Sequence, residues 1–361
     1  RKPIPPAYAT ELQTVFNALN GLNQSRTEWN CGTPGIGVLV SDSLMFQRGQ
    51  PTPSDPHLGN FYGLAMPLLK HGLPVTPVQL ENVVIPHYLD GFRILILSYD
   101  GQKPLSPEVH APLVDWVKRG GALIFCDQDA DPYLKVHEWW NSDGKNYATP
   151  REHLFELLGL DKPVGTDLFQ PIGKGGLIWL RERPAGLSTS AEGAAQVVAA
   201  AKLAAGRVGL NWRETNHLLL RRGPYVIAAG LDESIEGNPH TLSGRFVNLF
   251  DSELRVQNDI SIIPGSRWFL LDLDAVHASR PHLLASACKA LLQAQTDDQI
   301  SFAVEGVGET SAIMLLASRK APRAVTLDGR RVTTFDYSVK ERLLWIHFAN
   351  NGLPHDLVVQ F

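Results

Sequence analysis

Two hydrophobic periods alternate along the first half of this 361-residue chain. After a Pro-rich opening, Leu12, Val15, Phe16, Leu19 and Leu22 recur at helical spacing. They predict a helix that packs sideways onto another element. Short apolar runs then predict buried strands at residues 35–40, 75–80, 92–97, 122–126 and 176–180. Between them lie helical stretches. Residues 61–71 form one, bent by Pro67 and closed by Gly72. A second follows Ser106 as its cap, with Pro107 and Glu108 in its first turn, and Val109, Leu113, Trp116 and Val117 as its stripe. Lys118 and Arg119 occupy its last turn, and Gly120-Gly121 stop it. A third is the Ala-rich run 191–205, capped by Ser188 or Ser190. Apolar strands separated by helices imply a parallel sheet covered on both faces. Right-handed crossovers make it an open, doubly wound sheet.

After Gly206 the texture changes. Strand-like runs at 218–220, 225–229, 245–249, 260–263 and 268–271 recur between turn signals, the spacing of an antiparallel β-sandwich. Residues 281–294 predict a helix, with Leu283, Leu284, Cys288, Leu291 and Leu292 on one face. Further strands are expected at 300–304, 312–317, 324–327, 342–348 and 357–361, with Asp328-Gly329 as a hairpin signal. The fold class is therefore α/β plus all-β, a doubly wound domain followed by β-sandwich modules. The expected division is a helical extension at 1–34, an α/β domain at 35–206, a β-sandwich at 207–298 and a C-terminal β domain at 299–361.

Composition narrows the function classes. Apolar residues at 44% and charged residues at 19% suit a globular core and exclude a disordered chain or a coiled coil. A net charge of −4 provides no field for nucleic acid or an anionic membrane surface. Apolar runs such as 122–126 are far too short to cross a bilayer. Cys31, Cys126 and Cys288 cannot build a dense disulfide framework and do not have a zinc spacing; no metal or cofactor is assigned from the sequence. Residue 1 is Arg with no signal segment after it, so a cleaved front or a longer parent polypeptide is expected.

Candidate chemistry gathers at the carboxyl ends of the strands, where open parallel sheets bind ligands. Asp42, Glu81, Asp100, Asp127 and Asp129 fall there. Such a cluster can bind a cation or sugar hydroxyls, or act as an acid/base pair. Acids in these positions also cap turns and helices. Cys126 stands where a strand-end nucleophile would, but its context, Phe-Cys-Asp-Gln-Asp, lacks the glycines of a strained nucleophile turn, so a buried thiol is expected. The glycines at 32–37 precede a strand, and those at 173–176 lead into one; neither makes a phosphate cradle. Trp139, Trp140 and Tyr147, set among Asn, Asp and Glu, suit sugar faces, a protein interface, or an ordinary packed loop.

The order of a strand, GLAMPLLKHGLPVTPVQLE and FRILILSYDGQKPLSPEVHAPLVDWVKRGGALIF resembles the glutamine amidotransferase-like middle domain of large glycoside hydrolases. The trimerisation domain of family 42 β-galactosidases is the familiar case. The resemblance covers about residues 35–206. The C-terminal segment, with Val325, Asp328-Gly329 and Leu343-Leu344-Trp345-Ile346, is similar to the small β domains that end such enzymes. The resemblance implies a class I amidotransferase-like fold without the amidotransferase triad. It also implies that the catalytic glutamates lie on a barrel upstream, so no catalytic residue is carried onto this chain. The expected partners are carbohydrate or that barrel, in a homo-oligomer that is a trimer in the family.

Three readings follow, in order. The chain is a non-catalytic accessory and oligomerisation region of a carbohydrate-active protein. It is a self-sufficient hydrolase using the acidic crevice. Or it is a carbohydrate-binding module using Trp139, Trp140 and Tyr147.

Overall fold

The computed structural model describes residues 5–22, 27–46, 58–160, 168–277 and 279–361. Residues 1–4 of the Pro-rich opening lie outside them. The chain divides into two compact units, each assembled from separated segments. One comprises Cys31–Leu218 and Leu231–Asn238. The other comprises Arg1–Asn30, Leu219–Gly230 and Pro239–Phe361.

The first unit is built on a six-stranded mixed sheet. Its order is Val75–Gln79, Ile36–Val40, Ile94–Leu97, Ala122–Cys126, Gly175–Leu180 and Phe169–Ile172. The first five strands are parallel, and the last is an antiparallel edge that the sequence reading did not contain. The central strands are apolar throughout because each face is covered. Leu95, Leu97, Leu123 and Phe125 enter a core with the helices His110–Lys118 and Pro150–Leu157. Ile94, Ile96, Ile124 and Cys126 enter a second core with the helices Leu58–Lys70 and Ala191–Arg207. Burial on both sides removes the polar alternation of a half-exposed strand.

Local signals set the helix ends. Pro67 is accommodated inside Leu58–Lys70. Gly72, at φ 65°, closes that helix, and the N–H of Leu73 donates to Leu68 O at 3.1 Å. Ser190, not Ser188, caps the Ala-rich helix, accepting from the N–H of Gly193 at 3.0 Å. Ser106 sits before a short 3-10 turn but its hydroxyl accepts no backbone N–H there. That turn precedes the α-helix His110–Lys118.

Among the described residues, the second unit has three antiparallel sheets. One follows the order Glu28–Trp29, His217–Arg222, Tyr225–Gly230, Arg267–Asp272, His240–Asn248, Val256–Ile262. A four-stranded sheet runs His282–Ser286, Thr310–Ala317, Leu343–Asn350, Phe335–Ser338. A five-stranded sheet runs Lys289–Gln295, Gln299–Glu305, His355–Gln360, Ala324–Leu327, Arg330–Arg331. The four-stranded sheet is the middle layer. Its Ile313 and Leu315 join a core with Val247 and Leu271 of the six-stranded sheet. Its alternate residues Ala312, Met314 and Leu316 join a core with Phe302 and Val359 of the five-stranded sheet.

The structure departs from the sequence pattern at two places. Residues 281–294 form no helix. They form two strands, His282–Ser286 and Lys289–Gln295, which pair in different sheets. The Ser286 hydroxyl donates to Cys288 O at 2.7 Å across the bend between them. Helical spacing of the leucines is satisfied by chance, and long-range pairing overrides it. The apolar stripe of the N-terminal helix Pro6–Gly21 is only in part its packed face: Val15 packs against the core between the four- and six-stranded sheets and Leu22 is buried just past the helix end, while Leu19 is exposed. Phe16 is 58% exposed, and the buried positions are Thr10, Thr14 and Ala18. Asn17 anchors that face, its amide donating to Ser286 O at 2.7 Å and Cys288 O at 2.8 Å.

Candidate functional site

At the strand ends of the first unit, each of the predicted acids is held by neighbours. Ser41 follows strand Ile36–Val40 and donates its hydroxyl to Glu81 at 2.6 Å. The Gln79 amide donates to both Asp42 and Glu81, tying the two carboxylates together. Gln102, which the sequence reading missed, is buried and stitches three segments. Its oxygen accepts from the N–H of Ser41 at 2.8 Å. Its nitrogen donates to Leu39 O at 3.1 Å and Ser98 O at 2.9 Å.

Asp100 is buried and faces the Arg183 guanidinium at 3.4 Å. Its carbonyl accepts from Asn60 at 3.0 Å. Beside it lies a buried ion pair that also escaped the sequence reading. The Lys103 ammonium is 2.6 Å from Asp131 and donates to Tyr99 O at 2.6 Å. Asp131 further accepts from the N–H groups of Gly101 and Tyr133, at 2.8 and 2.9 Å. Asp129 accepts a two-pronged contact from Arg151, whose guanidinium also covers the rings of Phe155 and Trp179. The cavity left among Asn60, Asp100 and Gln102 is about 10 Å³, too small for a ligand.

Asp127 ends strand Ala122–Cys126 and is buried. Its two oxygens accept from the N–H groups of Tyr99 (3.0 Å) and Asp129 (2.7 Å). Burial pushes its carboxyl up to about 7; the Asp129 N–H pulls against that, and the Asp129 and Asp100 charges add to it. The fold therefore binds this proton more tightly than the unfolded chain does. The resulting stability is full below about pH 3.9 and is lost as pH rises through 7. His110 acts with opposite sign. Burial lowers it to about 3, with the His153 and Lys145 charges adding, so its contribution is full above about 6.5 and lost as pH falls. Asp127→Asn isolates the first effect. An amide would set its NH2 against a backbone N–H, so at pH 5 the variant should be less stable by about 1–3 kcal/mol. Urea unfolding should show that gap narrowing at pH 8. Equal gaps at both pH values would contradict the raised carboxyl.

The aromatic segment packs around two histidines. The Tyr99 hydroxyl lies 2.6 Å from His110 Nε2, and His110 Nδ1 lies 2.9 Å from His153 Nδ1. Trp139 and Tyr147 each stack near His153, with ring centroids 5.4 Å apart. Trp139 is half-buried and donates to Pro104 O. Trp140 is 2% exposed and donates to Leu134 O, so it offers no face to a sugar. Tyr147 is half-buried and hydrogen-bonds Glu156 at 2.7 Å. Cys126 is a core thiol. Burial raises it far above its ordinary value, the Asp127, Glu182 and Asp100 charges raise it further, and its Sγ lies 3.4 Å from Glu182 O. Among the described residues, no group of three His, Cys, Asp or Glu side chains is arranged to hold a metal.

No protein-family model matches the chain, and no curated protein is similar to it. Among solved structures it is similar to the β-galactosidase from Bacillus circulans sp. alkalophilus, at 11% identity and a TM-score of 0.39, over 66% of this chain and 41% of that one. It is also similar to the β-galactosidase from the psychrophilic Marinomonas ef1, at 10% identity and a TM-score of 0.36, over 73% of this chain and 41% of that one. The chain thus spans about two fifths of the length of each. Superposition at this level gives no residue a role.

Proposed function

We propose that this chain is a non-catalytic accessory and oligomerisation region of a carbohydrate-active protein, with an amidotransferase-like unit that lacks amidotransferase chemistry. The observation that carries the reading is the closure of the strand ends. Gln102 and the Lys103–Asp131 pair fill the place where an open parallel sheet offers its crevice, and the remaining acids are hydrogen-bonded within the fold. The sealed Cys126 thiol supports the loss of nucleophile chemistry. The sugar connection rests on the sequence resemblance of residues 35–206. In this reading the partners are an upstream catalytic barrel or carbohydrate itself, and the assembly is a homo-oligomer, a trimer by that resemblance.

One observation favours a self-sufficient hydrolase: a carboxyl held near 7 is suited to acid/base work. Against it, both Asp127 oxygens are occupied by backbone donors. A panel of aryl glycosides separates the two readings. The accessory reading expects no turnover by this chain alone, a native polypeptide longer than 361 residues, and a trimer by light scattering. Hydrolysis that disappears in Asp127→Asn would replace it with the hydrolase.

A further inference from the structure

The β-rich unit holds a cavity of about 220 Å³ that the proposed function does not use. Its floor is apolar: Leu273, Leu284 and Leu343 belong to the core between the four- and six-stranded sheets. Its rim is cationic. Arg245, Arg280, Arg319 and Arg342 line it, with Glu341 as the one carboxylate among the lining residues. In a chain of net charge −4 this concentration of guanidinium groups is local and not compositional.

Two of the four are already engaged. Arg245 pairs with Asp274 at 2.7 Å and Glu341 at 3.0 Å, and Arg280 pairs with Asp297 at 3.0 Å. Glu341 is thereby neutralised. Among the described residues, the Arg319 and Arg342 side chains have no acidic partner within ion-pair distance. Two exposed arginines without an acidic partner therefore line a pocket whose floor is apolar.

Arg342 carries a second sign. It closes the turn between strands Phe335–Ser338 and Leu343–Asn350 at φ 57°, its N–H donating to Ser338 O at 2.8 Å. Glycine or asparagine is the residue that such a backbone favours. The turn itself does not call for arginine.

We propose that this pocket binds a small ring-bearing oxyanion, a carboxylate or a sulfate ester, gripped by Arg319 and Arg342 with its ring against the leucine floor. Guanidinium forks pair with such oxyanions through two parallel hydrogen bonds. The apolar floor suits the C–H face of a ring. The volume lies below the roughly 300–1,000 Å³ of drug-sized sites, so one ring fits better than a chain. The inference does not depend on the accessory role proposed above, and either can fail alone.

Calorimetric titration of the full chain at low ionic strength tests it, with glucuronate, glucose 6-sulfate and glucose as probes. At least one of the two anions should bind, and glucose should not. The preferred anion identifies the oxyanion. Arg319→Gln and Arg342→Gly should each weaken that binding by about tenfold or more, the effect of losing one charge-assisted contact. Because glycine suits the backbone at 342, Arg342→Gly should keep or raise the melting temperature, which separates lost binding from lost fold. Equal binding of glucose and the anions, no binding of either anion, or anion binding that survives both substitutions would each overturn the proposal.

Discussion

Replacing Lys103 by methionine should destabilise the parallel-sheet unit by about 3–5 kcal/mol, the cost of leaving a buried charge without its partner. The side chains of Lys103 and Asp131 are only 7% and 4% exposed. Methionine fills the space of the lysine stem but leaves the Asp131 carboxylate with the Gly101 and Tyr133 N–H groups alone. The Tyr99 carbonyl also loses its ammonium donor. Pairing the change with Asp131→Asn removes the orphaned charge, so the double variant should be more stable than Lys103→Met itself. The deficit should also depend on pH. Burial alone would raise the Asp131 carboxyl, but the Lys103 hydrogen bond and charge outweigh it and hold the group below its ordinary value. Stability from a depressed carboxyl is present above about pH 3.9 and lost as pH falls through the folded value. Lys103→Met should therefore cost less in acid than at pH 7. Denaturant unfolding at the two pH values measures this, and a loss under about 1 kcal/mol at pH 7 would mean that water already solvates the pair.

Gly63→Ala should be nearly as damaging, for a steric reason. Gly63 lies in the helix Leu58–Lys70 where it meets the short helix Pro184–Leu187. A Cβ there would stand 1.6 Å from the Pro184 carbonyl oxygen. Backbone, not a flexible side chain, blocks it, so the two helices must move apart. Overpacking a tight contact costs about 1–3 kcal/mol, occasionally more, and this site should reach or exceed the upper value. One turn earlier, Gly59 provides the control. Among the described residues its Cβ would meet only Ala185 Cβ at 3.4 Å, so Gly59→Ala should be neutral or stabilising through helix propensity. Thermal melts of the two variants should differ by many degrees. Similar melting temperatures would show that the helix pair yields freely.

Much of the site was legible as position and little of it as partnership. Placing Asp42, Glu81, Asp100, Asp127 and Asp129 beyond strand ends needed only the apolar runs and the polar residues after them. Gln102 and Lys103 carried no local signal. They lie in the irregular segment after the Asp100-Gly101 turn, and only the folded chain brings Gln102 to Leu39 and Lys103 to Asp131. His110 was hidden as one more residue of an amphipathic helix, although its ring joins Tyr99 to His153. Trp139 and Trp140 are neighbours of the same type, and composition could not tell which ring turns inward.

The sequence by itself determined the alternation of apolar strands with capped, amphipathic helices, and hence a sheet covered on both faces. It also determined the change to short strands and tight turns after Gly206. Both are local consequences of side-chain period and turn chemistry. Tertiary structure decided the rest. It made residues 281–294 two strands because partners far along the chain, Thr310–Ala317 and Gln299–Glu305, outbid helical spacing. It turned Thr10, Thr14 and Ala18 inward because small side chains let the N-terminal helix lie close to its sheet, with Asn17 hydrogen-bonded to Ser286 and Cys288. It also turned a predicted acidic crevice into a closed network, because burying one carboxylate requires a donor for it. Some of those donors are local, as Asp129 N–H is to Asp127 and Tyr133 N–H to Asp131, but Tyr99, Lys103 and Arg151 come from segments whose proximity no local pattern encodes.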